Sequence, residues 1–267
     1  MGADYQTWGE GSVLARESGR VLTITLNRPE RKNAMDPASW DVLFDILRTA
    51  EVDPAVRVVV LTGAGDAFCA GADISSAPVG HPVTRVSRIA RTAAALFGFP
   101  KPVIARVDGA AVGAGWNLAL CCDFVVASDR SRFSEIFVRR GLSVDFGGSW
   151  LLPHLVGLQQ AKRLALLGDF VSAEEARELG LVTTVCAPQE LDTAVADLAG
   201  RLADGPPIAQ ALNKALLNEG TLSTFDAALA AEVRAQAVNY ATADARTARE
   251  AFAEKTTPAF TGEWVQG

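Results

Sequence analysis

Residues 101–128 read KPVIARVDGAAVGAGWNLALCCDFVVAS, and this stretch decides the predicted fold. The continuous apolar run at 103–107 is typical of a strand buried on both faces. The segment GAGWNLAL at 113–120 predicts a glycine-rich entry into a short buried helix, and 123–128 predicts a further strand. A strand, a helix and a strand in this order predict an α/β fold.

Toward the N terminus, strands and helices continue to alternate. Residues 20–26 alternate like a half-buried strand, and 57–62 form another continuous apolar run. Asp36 followed by Pro37 predicts an N-cap with proline at the first helical position. A further helix is predicted over 83–97.

Toward the C terminus, the pattern becomes helix after helix, and only 181–186 predicts a strand. The pair Ser172 and Glu175 has the spacing of a capping box. We therefore predict an α/β core over residues 1–195 and a helical region over 196–267. The predicted helices from Gly147 onward are 148–156, 158–167, 173–179, 189–203, 207–218, 222–240 and 244–254.

The composition limits the classes of partner. The chain has 25 Lys and Arg against 31 Asp and Glu, a net charge of −6, which disfavours binding to nucleic acid or anionic lipid. The first residues lack a signal-peptide pattern and no long apolar run follows, so we expect no membrane partner and a cytoplasmic location. Four cysteines without CxxC spacing and two histidines predict reduced thiols and no metal site.

Two stretches, 58–74 and 103–118, share one form: an apolar strand followed by small residues rich in glycine. Small residues let a ligand approach the backbone, whose free N–H groups can donate to an anionic oxygen. The GxGxxG pattern of dinucleotide-binding folds fails in both stretches at the third glycine, and no GK[ST] motif occurs. Tight turns without a ligand are the alternative interpretation of either stretch alone.

Several motifs together resemble the enoyl-CoA hydratase/isomerase family, the crotonases. The resemblance implies a spiral of ββα units followed by a C-terminal helical region that forms homotrimers, often paired into hexamers. It covers the chain from about residue 20 to its end. The motifs are LNRPERKNAM (26–35), DPAVRVVVLTGAGDAFCAGADI (53–74), the opening stretch 101–128, GLSVDFGGSWLLPHLVG (141–157), SAEEARELGLV (172–182) and AFAEKTTPAF (251–260).

By this resemblance the chain binds an acyl-CoA thioester, and coenzyme A is part of the substrate rather than a separate cofactor. Two backbone N–H groups, those of Ala70 and Ala114, are expected to hold the thioester oxygen while an enolate forms. The other residues that the resemblance places at the substrate are Arg28, Arg31, Lys32, Gly71, Ala72, Asp73, Ile74, Gly113, Asn117, Phe137, Phe146, Lys255 and Phe260. Of these, Lys255 and Phe260 are expected to reach the coenzyme A bound to a neighbouring subunit.

The reaction depends on which acids are present. Hydratases of the family use two glutamates, and the matching positions here are Asn117 and Phe137, neither of which can activate water. Asp145 matches the essential aspartate of the single-aspartate, epoxyphenylacetyl-CoA isomerase-like branch. Its neighbours Val144, Phe146 and Trp150 should remove it from water and raise its pKa. We therefore predict an acyl-CoA isomerase with Asp145 as acid and base.

Several alternatives stay open at this point. Asp145 could act as a helix N-cap, which does not exclude catalysis. Glu135 is the rival base, and an enoyl-CoA hydratase of fatty-acid or aromatic-acid breakdown is the alternative activity. From another class, a non-catalytic acyl-CoA-binding or RNA-binding homologue is possible.

Overall fold

The computed structural model describes residues 7–8, 11–75 and 80–265. The strands are β1 Thr7–Trp8, β2 Val13–Ser18, β3 Val21–Leu26, β4 Val58–Gly63, β5 Ala67–Cys69, β6 Val103–Val107, β7 Ala110–Val112, β8 Phe124–Ser128, β9 Arg132–Ser134, β10 Val171–Ser172 and β11 Thr184–Cys186. The α-helices are α1 Pro37–Val52, α2 Pro82–Phe97, α3 Ala114–Leu120, α4 Gly148–Leu167, α5 Ala173–Glu178, α6 Leu191–Ala203, α7 Pro207–Gly220, α8 Phe225–Tyr240 and α9 Ala243–Glu254. Short 3-10 helices cover Pro29–Arg31 and Ile136–Arg140.

The strands form two sheets. The larger has the order β1-β2-β3-β4-β6-β8-β11, antiparallel up to β3 and parallel from β3 onward. The smaller has the order β10-β9-β7-β5. Because β5, β7 and β9 run parallel, the turns that follow them leave the same edge of the smaller sheet.

Strand β4 shows why its sequence is apolar without alternation. Val59 and Leu61 face the main core, whereas Val58 and Val60 lie in a second cluster beneath α6. Both faces of the strand are covered, so every second residue cannot be polar. The prediction of a strand buried on both faces is confirmed.

Helix α1 begins as predicted from Asp36 and Pro37. The Asp36 carboxylate accepts the Ser39 N–H at 2.8 Å, and Pro37 is the first helical residue. The capping box is half formed: the Ser172 hydroxyl accepts the Glu175 N–H at 3.1 Å. The Glu175 carboxylate pairs instead with Arg163 at 2.8 Å. Competition from an arginine on α4 therefore removes the reciprocal bond.

The predicted boundary after residue 195 is corrected by the packing of α6. This helix buries Leu191, Val195, Ala199 and Ala203 against the large sheet along its whole length. A cut inside α6 would divide one packed element. By packing, the core continues to the end of α6, and the C-terminal helical region begins with α7.

None of the helices in the described ranges is long and apolar enough to cross a lipid bilayer.

The predicted break near 157 is confirmed, because Gly157 interrupts α4 with φ 74° and ψ 161°. The short strands β5, β7, β9 and β10 were not predicted. Strands of two or three residues are too short to show a period in the sequence.

Candidate active site

The site lies where two turns from neighbouring strands meet. One turn follows β5 and contains Gly71, and the other follows β7 and leads into α3 at Ala114. Gly71 has φ 91°, and a Cβ placed on it would lie 2.8 Å from the Val112 carbonyl and 3.4 Å from the Ala114 nitrogen. A residue without a side chain is therefore required for the first turn to lie against the start of α3.

The Ala70 N–H is not available to a ligand, which corrects one prediction. It donates to the Lys32 carbonyl at 2.9 Å. On either side of Ala72, Met35 exchanges two bonds with the turn: its N–H donates to the Gly71 carbonyl and its carbonyl accepts the Asp73 N–H. Between these bonds, the Ala72 N–H has no acceptor in the described part of the chain.

The Ala114 N–H is likewise without an acceptor among the described residues, because Ala114 is the first residue of α3. The turn before it is fixed by the Gly113 N–H, which donates to the Ser134 carbonyl at 2.8 Å. The Phe137 ring covers this turn, 3.6 Å from where a Cβ on Gly113 would lie. Ala72 and Ala114 thus supply two free N–H groups in turns that touch each other.

Arg28, predicted to contact substrate, makes internal bonds that support the fold. Its guanidinium donates to the Ala34 carbonyl at 2.5 Å and to Asp73 at 2.9 Å. Hydrogen bonds from Ser75, and then the Arg28 charge, lower the pKa of Asp73 to about 2. Asp73 is therefore an anion that stabilises this turn, and its predicted contact with substrate stays a prediction.

The other basic residues predicted near coenzyme A remain on the surface. Arg31 and Lys32 are exposed, as is Ile74, in the segments next to the Gly71 turn. Lys255 is exposed at the end of α9, and Phe260 is half-buried in the segment that follows. Their predicted contacts with coenzyme A stay predictions.

Asp145 stands in a tight turn just before α4. Phe146 and Gly147 both have left-handed φ values, 50° and 81°, and the helix begins at Gly148. No side chain caps this helix, so the N-cap interpretation of Asp145 is wrong. Its Oδ1 atom is buried and has no hydrogen-bond partner among the described residues.

Phe146 supports this turn from the core. Its ring is buried, with its centroid 5.2 Å from that of Trp40. A left-handed bulky residue costs of order 1–3 kcal/mol and persists only where its surroundings fix it. The predicted contact of Phe146 with substrate is therefore corrected: its position is inside, where it fixes the backbone of Asp145.

Asn117 connects the Asp145 turn to a second acid. Its amide nitrogen donates to the Asp145 carbonyl at 2.9 Å and to Glu135 Oε2 at 3.3 Å. Asn117 and Glu135 are both fully buried. A Cβ on Gly148 would overlap the Asn117 amide, so glycine at the start of α4 makes room for this bridge.

Burial changes the acidity of both carboxyl groups. It raises the pKa of Asp145 to about 6. It raises the pKa of Glu135 to about 8, an effect that the Asn117 hydrogen bond opposes and the charge of Asp145 reinforces. Trp150, which was expected to enclose Asp145, packs its ring against Phe97 and His154.

One structural residue, Asn33, gave no recognised signal in the sequence. Its side-chain amide donates to the Ala64 and Ala67 carbonyls at 2.8 and 2.7 Å, which fastens the turn around residues 28–35 to the loop between β4 and β5. It has φ 57°. An asparagine in a charged turn is a candidate for this left-handed conformation.

Among the described residues no group of three or more His, Cys, Asp or Glu side chains could hold a metal ion.

The family described as Enoyl-CoA hydratase/isomerase matches residues 16–263. A 1,2-epoxyphenylacetyl-CoA isomerase of Escherichia coli (strain K12) is 38% identical to this chain over 94% of the chain and 98% of the relative. A crotonyl-CoA hydratase of Syntrophomonas wolfei is 36% identical over 92% of the chain and 96% of the relative. The crystal structure of an enoyl-CoA hydratase from Bacillus anthracis superimposes with a TM-score of 0.91 at 32% identity, covering 95% of this chain and all of that one.

The chain therefore belongs to the enoyl-CoA hydratase/isomerase family, and its fold is the crotonase fold. Family membership supports an enzyme. Relatives of similar identity are named both isomerase and hydratase.

Proposed function

We propose that this chain is an acyl-CoA isomerase that shifts a carbon–carbon double bond, with Asp145 as the proton carrier. The observation that carries the proposal is the Asp145 carboxyl: the residue is half-buried, and its Oδ1 atom is buried without a hydrogen-bond partner among the described residues. A carboxylate in such a place is a stronger base toward carbon acids than one in water.

In the proposed reaction, a 3-enoyl thioester is bound with its carbonyl oxygen at the N–H groups of Ala72 and Ala114. Asp145 removes a proton from C2, and the electron pair of that C–H bond spreads over the carbons and the thioester oxygen as a dienolate. The proton then returns from Asp145 to C4, which leaves the double bond between C2 and C3. Atoms and charge balance without a co-reactant.

The two N–H groups supply the electrostatic part of the catalysis. Fixed donors aimed at a developing oxyanion contribute about 3 kcal/mol each to lowering the barrier. Ala72 replaces Ala70 in this role because the Ala70 N–H already donates to Lys32. The 1,2-epoxyphenylacetyl-CoA isomerase among the relatives also supports an isomerase.

A hydratase is the second candidate, and Glu135 is the observation that favours it. The Asn117 amide donates to the Glu135 carboxyl and to the backbone carbonyl of Asp145, so it joins two residues that carry carboxyl groups. Two carboxylates are what hydration of an enoyl thioester needs. Relatives named hydratase point the same way.

The experiment is to follow the absorbance of the conjugated enoyl thioester with the purified chain. An isomerase produces this absorbance from 3-enoyl-CoA and leaves crotonyl-CoA unchanged. Loss of absorbance from crotonyl-CoA, without conversion of 3-enoyl-CoA, would establish the hydratase instead. A panel of acyl groups, short, long and aromatic, extends the assay to the substrate.

We further propose that the chain assembles with copies of itself as a homotrimer or a pair of trimers. The C-terminal helices expose large apolar side chains, including Phe225 at 77%, Val233 at 70% and Phe252 at 87%. Exposed apolar side chains on these helices support an interface with another subunit. Light scattering of the purified chain should give a mass of three or six subunits, and a monomer would contradict the proposal.

A further inference from the structure

Glu135 is a buried acid for which the proposed reaction has no use. It lies between β9 and the 3-10 helix Ile136–Arg140, and its side chain is fully buried. Its Oε2 atom accepts one hydrogen bond, from Asn117 at 3.3 Å. Its Oε1 atom has no partner among the described residues.

No positive charge compensates Glu135 in the described structure. The charged group that acts on it is Asp145, which repels it. The titratable groups of the adjoining elements have other partners or face solvent: Arg139 pairs with Asp169, Arg140 is exposed, His154 bonds the Trp150 carbonyl, and the Cys121 thiol donates to the Phe146 carbonyl.

A carboxylate in this place would be unstable. An ionised carboxyl offers about four acceptor positions, and burying it with a single neutral donor costs several kcal/mol. A protonated carboxyl in the same place keeps the bond from Asn117 and carries no charge to desolvate. The geometry therefore favours an uncharged Glu135 whenever Asp145 is ionised.

We propose that Glu135 is a positioning residue that works in its uncharged form: it holds the Asn117 amide against the Asp145 turn and leaves Asp145 as the site's single negative charge. The assignment of a task to Asp145 rests on the proposed function. The three residues of this bridge, Glu135, Asn117 and Asp145, each have a buried side-chain oxygen without a hydrogen-bond partner among the described residues. A second charge here would oppose both the dienolate and the orientation of Asn117.

The pH dependence of the reaction follows. Asp145, with a pKa of about 6, is the base at neutral pH. Glu135 has a pKa of about 8, so in more alkaline solution it ionises beside Asp145 and beside the developing dienolate. The value of kcat/KM should rise with Asp145 ionisation and fall again with Glu135 ionisation.

The test is Glu135→Gln, which keeps an oxygen acceptor for Asn117 and cannot ionise. With 3-enoyl-CoA, kcat/KM at neutral pH should stay close to that of the wild type, and the alkaline fall should disappear. An alkaline fall identical to the wild type would overturn the proposal. So would a loss of about 10³-fold at neutral pH, since that is the loss expected for a group that itself transfers the proton. Glu135→Ala, which leaves Asn117 without its acceptor, should lower kcat at every pH.

An infrared measurement tests the charge state without any turnover. At neutral pH the spectrum of the wild type minus that of Glu135→Gln should contain the carbonyl band of a protonated carboxylic acid. The same difference should appear in an Asp145→Asn background. A carboxylate band in its place overturns the proposal whatever reaction the enzyme performs. A carboxylic acid band in a protein that does not convert 3-enoyl-CoA would refute the proposed function but not the uncharged Glu135.

Discussion

Gly71 is the residue on which the two free N–H groups depend. Its turn can lie against Ala114 only because Gly71 has no Cβ, which would lie 2.8 Å from the Val112 carbonyl. Gly71→Ala should therefore move the turn and misplace the Ala72 N–H. We expect kcat to fall by about 10²–10³-fold, the loss typical of removing one oxyanion donor, measured with 3-enoyl-CoA.

Gly19 provides the matched control for this variant. It also has a left-handed φ, 60°, but a Cβ on it would meet nothing within 4 Å. Gly19→Ala should cost a similar backbone strain in the turn between β2 and β3 and leave kcat unchanged. Equal activity losses in the two variants would show that Gly71 contributes only to folding.

At this scale the sequence predicts which turns matter but not which atom is free. The segment AGADI offers N–H groups of Ala70 and Ala72 that look alike. The carbonyl of Lys32, which takes up the Ala70 N–H, comes from a turn far away in the sequence. Only the folded chain shows that the Ala72 N–H is the donor without an acceptor among the described residues.

Helix α3 carries two parts of the site on one short element. Its first residue supplies the Ala114 N–H, and Asn117, near its middle, holds the Asp145 carbonyl and Glu135. Asn117→Ala removes both bonds and leaves a buried carboxyl without its donor. The free energy of unfolding should fall by about 1–3 kcal/mol, measured by urea denaturation, and kcat should fall with it.

Asn27→Ala is the control for this second variant. The Asn27 amide donates to the Gly11 carbonyl at 3.0 Å, in an exposed place far along the chain from α3. Its loss should cost no more than about 1 kcal/mol. An Asn117→Ala protein as stable and active as Asn27→Ala would contradict the role given to the bridge.

The longer elements follow from the sequence, and the contacts between them do not. Helices such as α2 are correctly predicted because an apolar repeat continues over several turns. The bridge from Asn117 to Glu135 joins residues of α3 and of the segment after β9, and neither shows a pattern that predicts it. Asp145 likewise could have been a helix cap until its backbone conformation was known.

For the whole molecule, the buried acid makes stability depend on pH. The pKa of Glu135 rises from an ordinary 4.5 to about 8 in the folded chain. The folded chain thus keeps a proton that the unfolded chain loses in this window. The resulting stabilisation is complete below pH 4.5, the ordinary pKa, and declines by about 1.4 kcal/mol per pH unit above it. It is lost above pH 8, near the pKa in the folded chain.

Urea denaturation of the wild type and of Glu135→Gln at several pH values across this window checks the sign. The unfolding free energy of the variant minus that of the wild type should increase as the pH rises, because the glutamine has no proton to lose. A free-energy difference that stays constant between the two pKa values of Glu135 would mean that this residue is already ionised in the folded chain.

The architecture as a whole was predictable to a large extent. Continuous apolar runs such as β4 predict a parallel sheet that is covered on both faces. The motifs around the glycine turns resemble the family that the comparisons establish. The end of the core was not predictable to the residue. Whether α6 packs on the sheet or extends from it depends on contacts with Val58, Val60 and Ile104.

The central claim is that Asp145 carries the proton, and the rate of Asp145→Asn with 3-enoyl-CoA tests it most directly. Asparagine has the same shape and cannot accept the proton, so we expect kcat to fall by at least about 10³-fold while the affinity for acyl-CoA is retained. A variant that converts 3-enoyl-CoA at close to the wild-type rate would contradict the account.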